Sequence, residues 1–383
     1  MSAQTIDFRI GAFTFSAGVS VLALGMTENI PVRLLTFCTV ILALAAGGWM
    51  LNVSEGIVIP IILGALLAFL LTSVTQATAR LPVIGPRFPF WLRMTISFLI
   101  VFLFLLVLVL LIARNLDQAA RVAPGYGQAF GTMITSTAER FGFEIDVTWQ
   151  GVQSLMGESL KIQSVVRYGV GAISGSLAYV FLVFVYALFF LLEARHFDSK
   201  IKAIFKTPES ERRARTVAHL IVGKVGAYMA LKTLVNAILA LACFAVLWAF
   251  GIELAAFWAI LTGVFNYIPY VGSLIAVMLP VFVSVGQFES LETTVSLAIY
   301  LILMQNIVGY YIEPRLLGKH LNLSPLVIMI SLAAWGVMWG IPGAILSVPL
   351  TSTLMILCGS FPSGQAFAVL LSEDGHPPGA DEV

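Results

Sequence analysis

Long apolar stretches alternate with short charged segments along almost the whole of this chain. Bounded by charged residues, the stretches are Leu34–Ser54, Gly56–Ala79, Met94–Ala113, Tyr168–Leu192, Thr233–Ile252, Leu254–Phe288, Thr293–Ile312 and Leu321–Ser372. A helix needs about 20 apolar residues to cross a hydrocarbon core about 30 Å thick, so six of the eight stretches fit one spanning helix each. The two longest, 35 and 52 residues, would make straight rods of roughly 52 and 78 Å at about 1.5 Å per residue. Both must bend, break or turn back.

The place of each break is marked. The first long stretch contains Asn266-Tyr267-Ile268-Pro269-Tyr270-Val271-Gly272, and the second contains Trp339-Gly340-Ile341-Pro342-Gly343. Proline removes an amide donor and disfavours helix at the residue before it. In both stretches the Ile-Pro break is followed by glycine, a small apolar stretch and a second proline, Pro280 or Pro349. Each is preceded by an ordinary span, Thr233–Ile252 or Thr293–Ile312. Two readings stay open: a re-entrant hairpin in each stretch, or one long kinked helix. Hairpins put the loop with Glu289 and Glu292 outside and the loop with Arg315, Lys319 and His320 inside, and give the two units opposite orientation. Inverted repeats with broken helices are a transporter architecture; kinked spans reverse both loops.

Charge orients the chain. Between Glu193 and Lys224 lie eight basic and four acidic residues, whereas Asn115–Arg167 holds four basic and five acidic ones. The positive-inside rule makes the first segment cytoplasmic and the second external. The expected plan is an N-terminal extension (1–30), three spans (31–114), a small helical extracytoplasmic insertion (115–165), a fourth span (166–192), a basic cytoplasmic linker (193–224), a transport core (225–358) and a tail (359–383). Spaced apolar residues such as Phe130, Met133, Ile134, Leu155 and Leu160 predict short amphipathic helices in the insertion. Thr207-Pro208-Glu209 predicts a helix starting near Pro208, with a hydroxyl cap, proline at the first position and acids in the first turn. Ile10–Met26 is uncharged but lacks the features of a signal peptide; it reads as an interfacial segment or a weak extra helix. The fold class is an all-α polytopic membrane protein with about six full spans and two broken hairpins.

Composition agrees: 59% of 383 residues are apolar and 11% charged, with mean hydropathy +0.98, where soluble proteins are about a quarter charged. A net charge of +1 offers no field for nucleic acid. Cys38, Cys243 and Cys358 sit in apolar runs without paired spacing, and the four histidines have no ligand spacing, so no metal or other cofactor is expected. No nucleotide-binding loop, zinc-protease helix or nucleophile elbow occurs, so the chain does not read as an enzyme.

Polar residues within or beside the apolar runs are few: Lys232, Asn236, Asn266, Gln305, Asn306, Glu313 and Arg315. Such groups are costly in lipid and usually face a bundle interior. Irregular backbone at membrane depth is tolerated only inside protein or along a wet cavity. Asn266, Pro269, Gly272, Gln305, Asn306, Pro342 and Gly343 are therefore the candidate solute-binding positions, and Lys232, Glu313 and Arg315 the candidates for coupling or gating. The plain alternatives are a proline kink for the break, snorkelling for Lys232, an interhelical bond for the amides and a loop ion pair for Glu313.

The strings Tyr228-Met-Ala-Leu-Lys232-Thr233, Asn266-Tyr-Ile-Pro-Tyr-Val-Gly-Ser273, Gln305-Asn-Ile-Val-Gly309, Glu313-Pro-Arg-Leu-Leu-Gly318, Leu323-Ser-Pro325, Trp335-Gly336, Trp339-Gly-Ile-Pro-Gly343 and Leu346-Ser-Val-Pro-Leu350 resemble those of the autoinducer-2 exporter family from about residue 30 to 358. The resemblance implies a multi-span transporter with an outer soluble insertion between the third and fourth spans; with the charge pattern and the parity of the spans, the expected location is the bacterial inner (cytoplasmic) membrane, multi-pass with a cytoplasmic N-terminus. Some members are associated with autoinducer-2 export and others with sodium/proton antiport. Some branches carry glutamate where this chain has Val308, which weakens cation antiport through that position and leaves Glu313 for a proton-linked cycle. The expected function is export of a small polar solute, with a sodium (lithium)/proton antiporter and a non-transporting membrane scaffold as alternatives. Expected partners are the bilayer, the solute, a proton or sodium ion, and further copies of the chain.

Overall fold

The computed structural model describes residues 8–10, 13–15, 32–79, 88–140, 162–288, 290–317 and 321–376. The expected external stretch 141–161 and the loop residues Glu289, Lys319 and His320 lie outside these. Two compact units divide at Met50 and Leu51.

In the first unit most of the segment Ile10–Met26, expected to be interfacial or a weak extra helix, lies outside the described residues, and Ile10 and Phe13–Phe15 fall in two short strands. Strands β1 (Phe8–Ile10) and β2 (Phe13–Phe15) pair antiparallel, with Phe8 opposite Phe15 and Ile10 opposite Phe13. The signal was present in the sequence: apolar residues alternate with Arg9 and Thr14 on either side of the dipeptide Gly11-Ala12, a hairpin pattern. Helix α1 (Val32–Val53) follows.

From Leu51 onward the described residues are mostly helical. Helices α2 (Glu55–Thr78), α3 (Phe90–Arg140) and α4 (Ile162–Glu193) cover the next three apolar stretches. In place of short separate helices after the third span, α3 runs 51 residues without interruption, because the spacing of Phe130, Met133 and Ile134 continues a helical period. Helix α5 (Phe197–Ile204) bends 66° away from α4. Its Asp198 receives Arg215 Nη1 at 2.8 Å, an exposed pair worth little by itself.

Helix α6 (Pro208–Ala249) begins where its sequence predicts, with the Thr207 hydroxyl accepting from the Ser210 amide at 3.3 Å. It joins the basic linker to the fifth span in one 42-residue helix. Then come α7 (Ala255–Phe265), α8 (Val271–Phe288), α9 (Leu291–Ile307), a π-helical turn at Val308–Ile312, α10 (Glu313–Leu317), α11 (Pro325–Gly359) and α12 (Gln365–Leu371).

Both long stretches turn back on themselves. In the first, the Thr262 hydroxyl reaches the Ala276 carbonyl at 3.4 Å, and Gln287 bridges the open end, accepting from the Glu253 amide and donating to the Gly251 carbonyl. In the second, Trp335 Nε1 donates to Thr351 Oγ1 at 3.2 Å, although sixteen residues of straight helix would part them by about 24 Å. The reversal inside α11 falls at Gly340, whose φ of 62° and ψ of −139° are not helical. The corresponding left-handed residue in the first break is Tyr270, φ 59°, a conformation that strains any side chain with a Cβ. Six helices among the described residues are long and apolar enough to cross a membrane, and α4 with α5 makes a bent seventh; α11 is one of the six by length but is folded at Gly340. The chain is a polytopic membrane protein, and its described elements are helical apart from the short β pair.

The innermost core joins α6 to α9 through Val235, Leu239, Cys243, Leu247, Leu297, Leu301 and Val308, with Ala259 and Val283 from the first hairpin. Large apolar side chains such as Leu103, Phe189 and Trp248 are more than half exposed, as surfaces solvated by acyl chains should be.

Candidate functional site

Helix α6 turns by about 100° per residue, so Tyr228, Lys232, Thr233 and Asn236 share one side of it. Each of the last three meets a polar partner from another element. Lys232 Nζ lies 2.5 Å from Glu313 Oε1 of α10, with the lysine side chain 9% and the glutamate 25% exposed. Tyr267 donates its hydroxyl proton to Thr233 Oγ1 at 2.7 Å, and Thr233 passes a hydrogen bond to the Met229 carbonyl at 2.7 Å. Asn266 Nδ2 donates to Asn236 Oδ1 at 2.8 Å. The first break, the polar side of α6 and the end of the α9–α10 rod thus converge.

The backbone of the first break is mostly self-satisfied. The amides of Asn266, Tyr267, Ile268, Val271 and Gly272 donate to the carbonyls of Thr262, Val264, Phe265, Pro269 and Ile268. Side chains therefore offer more unspent polar chemistry here than the peptide groups of the break do. Among the described residues, the buried amide nitrogen of Gln305 has no protein partner, and that of Asn236 makes no well-formed hydrogen bond beyond its interaction with the Tyr267 hydroxyl. An unpaired buried donor costs about 1–3 kcal/mol, so Gln305 in particular is suited to a polar ligand.

The other candidates are distributed as follows. Pro269 is half-buried in the break, and Gly272 packs so closely that an added Cβ would lie 1.8 Å from the Phe265 carbonyl oxygen. Asn306 is exposed and spends its amide on Ile302 O of its own helix at 2.8 Å. Arg315 is exposed, 5.7 Å from the Tyr311 ring centre. Pro342 and Gly343 belong to a different neighbourhood: beside them, Trp339 Nε1 donates to Leu51 O at 3.1 Å and Asn52 Nδ2 to Met338 O at 2.6 Å, at the junction of α1 and α2. Trp339 shares a core cluster with Val225 of α6. Lys232 and Glu313 are thus brought together, as are Asn266 and the unassigned Asn236, while the second break engages another stretch of α6. Thr233, Asn236 and Tyr267 had no role assigned from sequence; the spacing of Tyr228, Lys232 and Asn236 by four was the available signal.

Comparison with known proteins returns one family. A model described as AI-2E family transporter matches residues 37–362. The AI-2 transport protein TqsA of Escherichia coli is 30% identical over 323 residues, 83% of this chain and 90% of that protein. A Haemophilus influenzae protein provisionally named as a transport protein is 28% identical over 350 residues, 90% of this chain and 97% of its own. YhhT of Escherichia coli, also provisionally named as a transport protein, is 30% identical over 205 residues, 54% of this chain and 57% of its own.

Proposed function

This chain belongs to the AI-2E transporter family, and from that premise we propose that it is a secondary transporter exporting a small polar solute of the autoinducer-2 type across the bacterial inner membrane. The observation that supports this reading most is the convergence of the first helix break with the polar side of α6 and with Glu313. The TqsA likeness suggests the solute class. A hydroxylated solute would exchange its hydration for the amides of Asn236, Asn266 and Gln305, and Lys232 with Glu313 supplies a proton-exchanging pair beside it. Pro269 and Gly272 shape the break that carries Asn266; Pro342 and Gly343 shape the second break, which closes on the α1–α2 junction. Asn306 and Arg315 are peripheral in this reading.

The test is flux in proteoliposomes, with and without a proton gradient. Autoinducer-2 movement driven by the gradient is expected; sodium- or lithium-driven proton movement without organic solute would replace this reading by the antiporter one. Asn266→Leu and Gln305→Leu are each expected to lower solute flux roughly tenfold or more, the equivalent of one lost hydrogen bond of about 1.4 kcal/mol, while the protein still assembles in the membrane. Normal flux in both variants would remove these residues from the site.

Orientation follows the charge pattern, with the first hairpin entering from outside and the second from the cytoplasm. In a protein freed of its native cysteines, Ser290→Cys is expected to react with impermeant maleimide from outside and Asn322→Cys only after the inner face is opened. The reverse pattern would overturn the inverted arrangement.

A further inference from the structure

The contact between Lys232 and Glu313 depends on a helical register that an uninterrupted α9–α10 rod would not have. Leu297, Leu301, Met304 and Val308 follow the spacing of one α-helical stripe and face α6. Carried on at about 100° per residue, that stripe would next place Ile312 and Arg315 toward α6. Glu313 would be swung roughly 140° from Val308, and a second cation would approach Lys232.

The chain instead inserts one residue. Between Val308 and Ile312 the helix is π, and the Glu313 amide donates to the Val308 carbonyl five residues back. Every later residue is thereby turned back by about one position, roughly 100°. Glu313 moves to the α6 side next to Ile312, and Leu316 takes the place of Arg315. The contacts agree: Glu313 meets Lys232 at 2.5 Å, Ile312 and Leu316 both pack against the α6–α9 core, and Arg315 is exposed.

Pro314 supplies the cause. It has no amide to donate, and in an α-helix its ring would collide with the carbonyl four residues earlier, that of Tyr310 at the centre of the π turn. We infer that Pro314 is a positioning residue: it holds the π turn that aims Glu313 at Lys232 and keeps Arg315 away. Gly309 lies within the turn with open space around it, since an added Cβ would find nothing within 4 Å. That this pair belongs to the transport site rests on the function proposed above; the register assignment does not.

Register is read by cross-linking in membranes, using the full-length protein with Cys38, Cys243 and Cys358 replaced by alanine and a short bifunctional thiol reagent. With Pro314 present, Lys232→Cys is expected to cross-link to Glu313→Cys in preference to Ile312→Cys. Pro314→Ala should invert that preference. Deleting Gly309 in the Pro314→Ala background removes the insertion together with its cause, and should restore the Glu313 preference in an all-α rod; this second variant answers the question even if Pro314→Ala alone fails to assemble. An unchanged preference in an assembled Pro314→Ala, or no restoration by the deletion, would overturn the inference. Flux of the same variants without introduced cysteines separates the two readings: it should fall in Pro314→Ala and recover with the deletion. An inverted cross-link with unaltered flux would leave the register assignment standing and remove the pair from the transport site.

Discussion

Gly272→Ala and Gly343→Ala are each expected to collapse the hairpin that contains them, with the largest loss of stability of any methyl addition at the described glycines. The Cβ added at Gly272 would lie 1.8 Å from the Phe265 carbonyl oxygen and 2.6 Å from its carbon; that at Gly343 would lie 2.0 Å from the Trp335 carbonyl oxygen and 2.7 Å from its carbon. These neighbours are backbone atoms of the opposing arm, so no rotamer change relieves the clash. Overpacking of a core commonly costs about 1–3 kcal/mol; with rigid backbone as the obstacle, each variant should exceed that and lower the unfolding temperature in detergent well beyond the control. Gly336→Ala is that control: it lies on the same arm as Trp335 with nothing within 4 Å of an added Cβ, and should leave stability and flux near those of the parent. If Gly272→Ala or Gly343→Ala unfolds like Gly336→Ala, the close fold-back of that hairpin is wrong.

Removal of one member of the Lys232–Glu313 pair should be worse than removal of both. The lysine side chain is 9% exposed, and leaving a buried charge without its partner costs about 3–5 kcal/mol. The 25% exposure of Glu313 puts the loss for Lys232→Met at the low end, about 3 kcal/mol. Glu313→Gln, which strands the more buried lysine, should cost more. Lys232→Met with Glu313→Leu exchanges the pair for apolar groups and should regain much of the lost stability, since such replacements are often neutral. Transport should stay absent in all three. Unfolding midpoints and flux on the same preparations check this; a double variant that transports would exclude the pair from the mechanism.

The element plan was legible because its determinants are local. Thr207 and Pro208 start α6 by cap chemistry, the Ile-Pro pairs at 268–269 and 341–342 mark the breaks where Ile59-Pro60 near the start of α2 does not, and a 20-residue apolar run has few alternatives to a span. The β pair at Phe8–Phe15 was equally local, an alternation around Gly11-Ala12 that the surrounding apolar run concealed. The candidate site was only half legible. Composition marked Lys232, Asn266 and Glu313 as polar groups in an apolar setting, but Gln305 and Asn306, adjacent in sequence, differ in fate: one is a buried amide without a protein partner, and the other is exposed and bonded to its own helix.

By itself the amino-acid sequence determined where this chain meets lipid, where its helices start and break, and which few polar residues must be sheltered, since hydrophobic length, proline and capping act within a turn or two. Only the tertiary structure decided that each broken stretch is a hairpin, because that depends on whether Thr262 finds Ala276 and Trp335 finds Thr351 across the fold. It also decided that Lys232 faces Glu313 and Arg315 does not, because a single inserted residue between Val308 and Ile312 rotates everything after it, a consequence that residue types state only once the packing of α6 against α9 is known.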